Sequence, residues 1–117
     1  MNVVSSAHEI KTETSDKNVR ILFQGKLVAE TRRAVILRET GLPSVYYIPR
    51  EDAKMQFFAR STHMTRCPYK GIANYFDLTV DGVRSANAVW TYEDPIAAAK
   101  AITGHLAFYP DRVVMEY

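Results

Sequence analysis

Apolar and polar residues alternate along much of the chain, which is the pattern of β-strands that bury one face. Residues 19–23 place apolar side chains at every second position. Residues 74–80 and 83–92 alternate in the same way on either side of Asp81-Gly82, a dipeptide that favours a two-residue hairpin turn. Gly25-Lys26 predicts another hairpin. The pattern therefore predicts a protein built mainly from antiparallel strands.

The other apolar segments are short, and turn-forming residues bound them. They predict further strands at residues 8–13 (an edge strand), 27–29, 34–37, 45–48, 54–59, 106–109 and 113–117. Residues 62–73 show no periodicity and are predicted as a loop, and residues 1–7 as a loose terminal segment.

One helix is predicted near residues 95–103. Asp94 can cap it, Pro95 suits its first turn, and Gly104 suits its C-terminal end. With eight or nine short strands and this one α-helix, the fold class is mainly β. We expect one domain over residues 1–117, with a small curled antiparallel sheet or a barrel-like sandwich.

Composition limits the functional classes. A net charge of +2 with 13 acidic residues disfavours a protein that tracks a nucleic-acid backbone. No apolar run exceeds four residues, as at residues 34–37, whereas roughly 20 would be needed to span a bilayer. The single cysteine excludes an internal disulfide, and no secretory signal opens the sequence. We therefore expect a soluble, cytoplasmic protein without a membrane partner.

The cysteine lies in the segment Thr-Arg-Cys-Pro-Tyr-Lys-Gly at residues 65–71. Cationic neighbours stabilise a thiolate, so Cys67 is a candidate nucleophile or redox thiol, with His63 or His105 as its base. Lys70 is a second candidate base in the same segment. The alternative is a small, inert cysteine in the core, since free cysteines are among the most buried residues.

Basic residues suggest an anion pocket. Residues 53–76 contain no carboxylate, and further arginines precede them. Arg33 and Arg50 are the strongest candidates for binding phosphate or carboxylate, and Tyr47 and Tyr69 for lining the pocket. The alternative is that these arginines are solvated and form ordinary ion pairs with nearby acidic residues.

Acidic and imidazole side chains give weaker signals. The histidines at 8, 63 and 105 have no paired spacing with each other or with the cysteine, so we expect no metal site and no cofactor. Glu39 and Asp111 could act as acid or base, although such carboxylates more often orient an arginine or cap a turn.

Four motifs occur in a fixed order. They are Ala-Glu-Thr-Arg-Arg-Ala at 29–34, Val-Tyr-Tyr-Ile-Pro-Arg-Glu-Asp at 45–52, Cys-Pro-Tyr-Lys-Gly at 67–71 and Ala-Phe-Tyr-Pro-Asp-Arg-Val at 107–113. In these motifs the chain resembles the bacterial family of domains of unknown function numbered 427, which carries a nucleotidyltransferase-like label and has no established function. The resemblance runs from about residue 8 to residue 117.

The resemblance implies a small, mostly β protein similar to the tent-shaped sheet folds. Several such folds bind zinc through paired cysteines, which this chain lacks. Others bind small aromatic or heterocyclic ligands in a cage, which Tyr47, Trp90 and Tyr109 could form here by analogy of fold. The family motifs also include Arg33, Arg50, Cys67, Tyr69, Lys70, Asp111 and Arg112.

Three functions remain open from the sequence. The leading hypothesis is a domain that binds a small anionic or ring-bearing ligand in a pocket lined by arginine and tyrosine. The second is an enzyme that uses Cys67 or Lys70. The third is an interaction module, a homodimer formed through a sheet edge or an aromatic patch.

Overall fold

In a computed structural model that describes residues 8–117, the chain forms ten β-strands. Their bounds are β1 Ile10–Thr14, β2 Val19–Phe23, β3 Lys26–Thr31, β4 Val35–Glu39, β5 Val45–Tyr47, β6 Phe58–Cys67, β7 Gly71–Val80, β8 Val83–Thr91, β9 Leu106–Phe108 and β10 Val114–Glu116. Short 3-10 helices occupy Arg50–Asp52, Met55–Phe57 and Ala97–Ile102. The predicted mainly β fold is confirmed, and the loose segment predicted at residues 1–7 lies outside the described residues.

The strands of residues 8–117 form three antiparallel sheets with the orders β1-β4-β5, β10-β2-β3 and β6-β7-β8-β9. Ile48 and Leu106 join the first sheet to the third through two reciprocal backbone hydrogen bonds of 2.8 Å. A bridge between Ala29 and Ala53 ties β3 to the segment after the first 3-10 helix. The described strands close no barrel, so the barrel-like alternative is not adopted.

Both predicted hairpins are present, although the first turns at Gln24-Gly25 rather than at the predicted Gly25-Lys26, since Lys26 already begins β3. Gln24 and Gly25 turn β2 into β3 with φ of 51° and 73°, and Asp81 and Gly82 turn β7 into β8 with φ of 50° and 78°. Two successive positive φ angles are typical of the type I′ turn, whose twist matches that of the strands. The turn chemistry therefore sets the order of these strands.

Buried side chains in the described part of the chain form two clusters. The first joins β2, β3 and the third sheet, and includes Ile21, Val28 and Leu78, all fully buried. The second contains Tyr47 and Ile102 and lies beneath the aromatic residues described below. Burial of apolar area supplies most of the stability of such a fold.

The loop predicted at residues 62–73 is wrong. Strand β6 continues to Cys67, and β7 begins at Gly71, so only Pro68–Lys70 form the turn between them. Because β6 is an edge strand and mostly exposed, it needs no buried apolar face and lacks the periodicity that would mark it. The strand predicted at 54–59 begins only at Phe58, because Met55–Phe57 form a 3-10 helix.

The predicted α-helix is a shorter 3-10 helix at Ala97–Ile102, entered from Ile96 rather than from Asp94. Ala99 departs from helical geometry at φ −110° and ψ 18°, and both Ala99 and Ile102 are buried. Six residues are too few for a stable α-helix, so packing of these side chains decides the local geometry. No helix of residues 8–117 is both long enough and apolar enough to cross a membrane.

Candidate functional site

A cavity of about 630 Å³ lies beside the end of β4, strand β5, the β6–β7 turn and the residues after β9. Aromatic side chains dominate the part of its lining that residues 8–117 supply. They are Tyr46, Tyr47, Tyr75, Trp90, Tyr92, Phe108, Tyr109 and Tyr117. Glu39 and Lys70 line it as well. Small-ligand sites are concave, mostly apolar and about 300–1,000 Å³ in volume, so this cavity has the size and lining of one.

Tyr47, Trp90 and Tyr109 form one side of the cavity, here called the aromatic wall. Trp90 in β8 pairs in register with Ala107 in β9, so Tyr109, two residues further on, lies on the same face. The Trp90 ring lies 6.3 Å from Tyr47 at 89° and 4.6 Å from Tyr109 at 47°. Trp90 Nε1 also donates a hydrogen bond of 3.2 Å to the Tyr47 hydroxyl. These three residues, which the family resemblance suggested as a cage, therefore lie together, with Trp90 in contact with both tyrosines.

Burial keeps three of the phenols that line the cavity protonated at neutral pH. Burial raises the pKa of both Tyr47 and Tyr92 above the ordinary value of 10.0. Burial, together with a hydrogen bond to Tyr75, raises the pKa of Tyr109 to about 12. Each hydroxyl therefore keeps its hydrogen and can donate it.

Glu39 and Lys70 form the polar end of the cavity, and His8 contacts Glu39 without lining the cavity. Glu39, the last residue of β4, accepts a hydrogen bond from Lys70 in the β6–β7 turn and contacts His8 Nε2 at 2.8 Å. Burial by itself would raise the pKa of the Glu39 carboxyl, but the hydrogen bonds from Lys70 and His8 outweigh it. The net pKa lies below 4.5, so Glu39 is ionised at neutral pH.

The two other candidates of the 65–71 segment do not line this cavity. Cys67 is partly buried at the end of β6 and packs against the second core cluster. Tyr69 is half exposed and stacks on the His8 ring, with centroids 3.6 Å apart. Among the described residues, neither His63 nor His105 forms a hydrogen bond with Cys67. His63 packs on Tyr75, and His105 Nδ1 contacts the Thr103 carbonyl.

The structure does not bring Arg33 or Arg50 to the aromatic wall. Arg33 is exposed and pairs with Glu51 at 3.1 Å and Asp52 at 3.3 Å. Arg50 donates hydrogen bonds of 3.1 Å to the Gly104 carbonyl and the Thr91 hydroxyl. It borders a separate, more polar depression of about 370 Å³. Both arginines therefore already have partners within the chain.

Arg112 and Asp111 follow the aromatic wall in sequence but point elsewhere. Arg112 donates to the Ser85 hydroxyl at 2.5 Å and to the Ala86 carbonyl at 3.1 Å, which joins the residues after β9 to β8. Asp111 is exposed in the turn before β10. Pro110, between Tyr109 and this pair, still lines the cavity.

In the part of the chain that the structure describes, no three His, Cys, Asp or Glu side chains are placed to hold a metal ion together. The contacts of Glu39 with His8 and Lys70 bring together one carboxylate and one imidazole, whereas structural zinc requires four ligands. A metal centre therefore has no support from this geometry.

Comparison with known protein families identifies the chain. Residues 11–117 match the model of the family described as Domain of unknown function (DUF427). The chain belongs to the DUF427 family. The resemblance drawn from its motifs is thus confirmed, and most of the chain is covered. No curated protein matches the sequence.

Sequence reasoning missed part of the site of this DUF427 domain. The alternation of residues 83–92 places Tyr92 on the same face as Trp90, but Tyr92 was not predicted as a site residue. No sequence pattern indicated that Glu39 would pair with Lys70, because the two are far apart in sequence and meet only through tertiary packing. His8 joins them for the same reason.

The backbone conformation of Gly71 fixes the end of the β6–β7 turn and therefore the position of Lys70 in this DUF427 domain. Its φ is +112°, and a Cβ atom there would lie 3.4 Å from the Asp94 carbonyl oxygen. We expect Gly71→Asn to lower the free energy of unfolding by at least about 1 kcal/mol, measured by denaturant titration. Gly25→Asn is the control and should cost less than about 0.5 kcal/mol, since its φ of +73° suits asparagine and its surroundings are open. Equal losses at the two sites would contradict the strain at Gly71.

Proposed function

We propose that this DUF427 domain binds a small ring-bearing ligand against the aromatic wall of the 630 Å³ cavity. The observation that carries the proposal is the concentration of aromatic side chains around a cavity of ligand size. Rings stack and meet edge to face with Tyr and Trp, and such pairs contribute about 0.5–1.5 kcal/mol beyond the burial of area. A flat ring is therefore the chemical shape that this lining favours.

A ring is favoured over a small inorganic anion. No arginine from residues 8–117 lines the cavity, and its one lysine is already neutralised by Glu39. An anion there would be buried beside a carboxylate without a free positive charge, which is costly. The arginine contribution expected from the sequence is therefore left out of the proposal.

Binding is also favoured over catalysis. The low pKa of Glu39 makes its carboxylate a weak base at neutral pH. Lys70 Nζ is held in a buried ion pair with Glu39, so a nucleophilic role would require this pair to be broken. Cys67 lies outside the lining. These three facts support a binding domain as the function.

The experiment uses Trp90, the single tryptophan in the sequence, as the reporter. Toluene should change the tryptophan fluorescence and shift the Trp90 indole N–H resonance in a saturable way. Tyr109→Ala should weaken this binding about tenfold, because it removes the ring that packs on Trp90. Arg33→Gln is the matched control and should leave the affinity unchanged, since Arg33 pairs outside the cavity.

The result that would reject the proposal is equally direct. If toluene leaves the Trp90 resonance in place up to its solubility limit, the cavity is not a ring site. Weaker binding in Arg33→Gln than in Tyr109→Ala would instead support the pocket lined by arginine and tyrosine that the sequence suggested.

A further inference from the structure

The cavity has a buried polar end within a mainly aromatic lining. Glu39 is 7% exposed, Lys70 8% and Tyr47 1%, so the charged pair and the Tyr47 hydroxyl are shielded from solvent. The rest of the lining is mostly apolar, both where it is buried, as at Phe108, and where it is exposed, as at Tyr117. A ligand that fills the cavity must therefore place a polar edge against Glu39 and Lys70 and apolar surface against the remaining side chains.

The polar end and the Tyr47 hydroxyl together offer both donors and an acceptor. Within the described residues, the Lys70 ammonium donates to Glu39 and to no other acceptor, so two of its three hydrogens remain available. The Tyr47 hydroxyl accepts from Trp90 and has no acceptor for its own hydrogen among those residues. Glu39 accepts from Lys70 and His8 and retains further lone pairs, since a carboxylate has about four.

The net charge of this end selects the charge of the ligand. Lys70 and Glu39 neutralise each other where both side chains are nearly buried. A carboxylate on the ligand would approach the Glu39 carboxylate, and an ammonium would approach the Lys70 ammonium. Either would bury a charge without a free partner, which proteins avoid. A neutral polar group meets neither repulsion.

We propose, on the basis of the function proposed above, that the ring carries a neutral amide-type edge. Its carbonyl oxygen accepts hydrogen bonds from Lys70 and from the Tyr47 hydroxyl, and its N–H donates to Glu39. The lysine and the glutamate lie side by side, as the carbonyl and N–H of an amide do, so one functional group satisfies both. The ligand class is thus a primary carboxamide or a lactam on an aromatic or heterocyclic ring.

The test uses four compounds with one benzene ring each, namely toluene, benzamide, benzoate and benzylamine. Affinities for the wild-type domain are measured through the Trp90 indole resonance and by calorimetry. Benzamide should bind about tenfold more tightly than toluene, and at least tenfold more tightly than benzoate or benzylamine. Acetophenone keeps the carbonyl but lacks the N–H, so it should bind between toluene and benzamide.

A charge-changing variant adds an independent measurement. Glu39→Gln keeps the shape of the side chain and leaves the Lys70 charge uncompensated, so this variant should prefer benzoate over benzamide. The wild-type series stands even if Glu39→Gln fails to fold. A variant that folds and still prefers benzamide would overturn the role of the ion pair.

The outcomes separate this inference from the proposed function. If toluene binds and benzamide binds no more tightly, the amide edge is rejected while the ring site stands. If benzoate or benzylamine binds most tightly to the wild type, the neutral charge of the ligand is rejected. If none of the compounds shifts the Trp90 resonance, both the ring site and its amide edge are rejected.

Discussion

Lys70→Met is expected to lower the free energy of unfolding by about 3 kcal/mol at neutral pH. The Glu39 and Lys70 side chains are 5% and 10% exposed, so the substitution leaves a buried carboxylate whose one other partner among the described residues is His8. Breaking one side of a buried ion pair typically costs about 3–5 kcal/mol, and the contact with His8 places this case at the lower end. Denaturant unfolding measures the loss.

The double variant Lys70→Met/Glu39→Leu is the control. Replacing a buried pair by apolar side chains of similar volume is often neutral or stabilising, so this variant should recover most of the lost stability. If the double variant is as unstable as Lys70→Met, the loss comes from packing in the turn and not from the unpaired carboxylate.

The pH dependence distinguishes the wild type from Lys70→Met. In the wild type, the pKa of folded Glu39 lies below 4.5. The stability that ionised Glu39 gains from its partners is therefore present above about pH 4.5 and is lost as the pH falls through the folded pKa. In Lys70→Met, the hydrogen bond with His8 remains to offset the burial of the Glu39 charge. Protonation of Glu39 removes the cost of burying that charge. The difference in unfolding free energy between the two proteins should therefore shrink from pH 7 towards pH 4.

Arg50→Met is expected to cost about 2 kcal/mol and to leave ring binding unchanged. Arg50 donates to the Gly104 carbonyl and to the fully buried Thr91 hydroxyl, and its guanidinium lies 5.3 Å from the Phe76 ring centroid. The substitution leaves Thr91 without this donor, and such losses cost about 1–3 kcal/mol. Thermal unfolding and toluene titration measure the two effects.

Arg33→Gln is the matched comparison for stability. Its ion pairs are exposed, and exposed pairs contribute about 0–1 kcal/mol, so the change should be small. A large loss of toluene binding in Arg50→Met, without a loss of stability, would show that Arg50 belongs to the ligand site after all.

Local sequence chemistry was sufficient for much of the fold. The Asp81-Gly82 turn and the alternation on both sides of it predicted β7 and β8, because the hairpin uses contacts near in sequence. Strand β6 escaped prediction, since an exposed edge strand needs no buried face. The 3-10 helix at Ala97–Ile102 was mistaken for an α-helix because its geometry depends on tertiary packing.

The site could be predicted only in part. Tyr47, Trp90 and Tyr109 were named as a cage, and the structure places the Trp90 ring against both tyrosines. Arg33 and Arg50 were expected in the same pocket, but composition does not reveal which carboxylate or carbonyl an arginine will meet. That information lies in contacts between residues far apart in sequence.

Strand β10 is synthesised long after β2, and residues in and next to it line the cavity. It pairs with β2, and the ion pair between Arg20 and Glu116 spans 96 residues. Met115 and Tyr117 line the cavity, and Tyr117 stacks on Tyr46. On the ribosome, the outer edge of β2 therefore stays unpaired until residues 114–116 have emerged. The lining of the cavity is likewise incomplete before Met115 and Tyr117 are made, so a ligand that needs the whole lining binds only after β10 has paired.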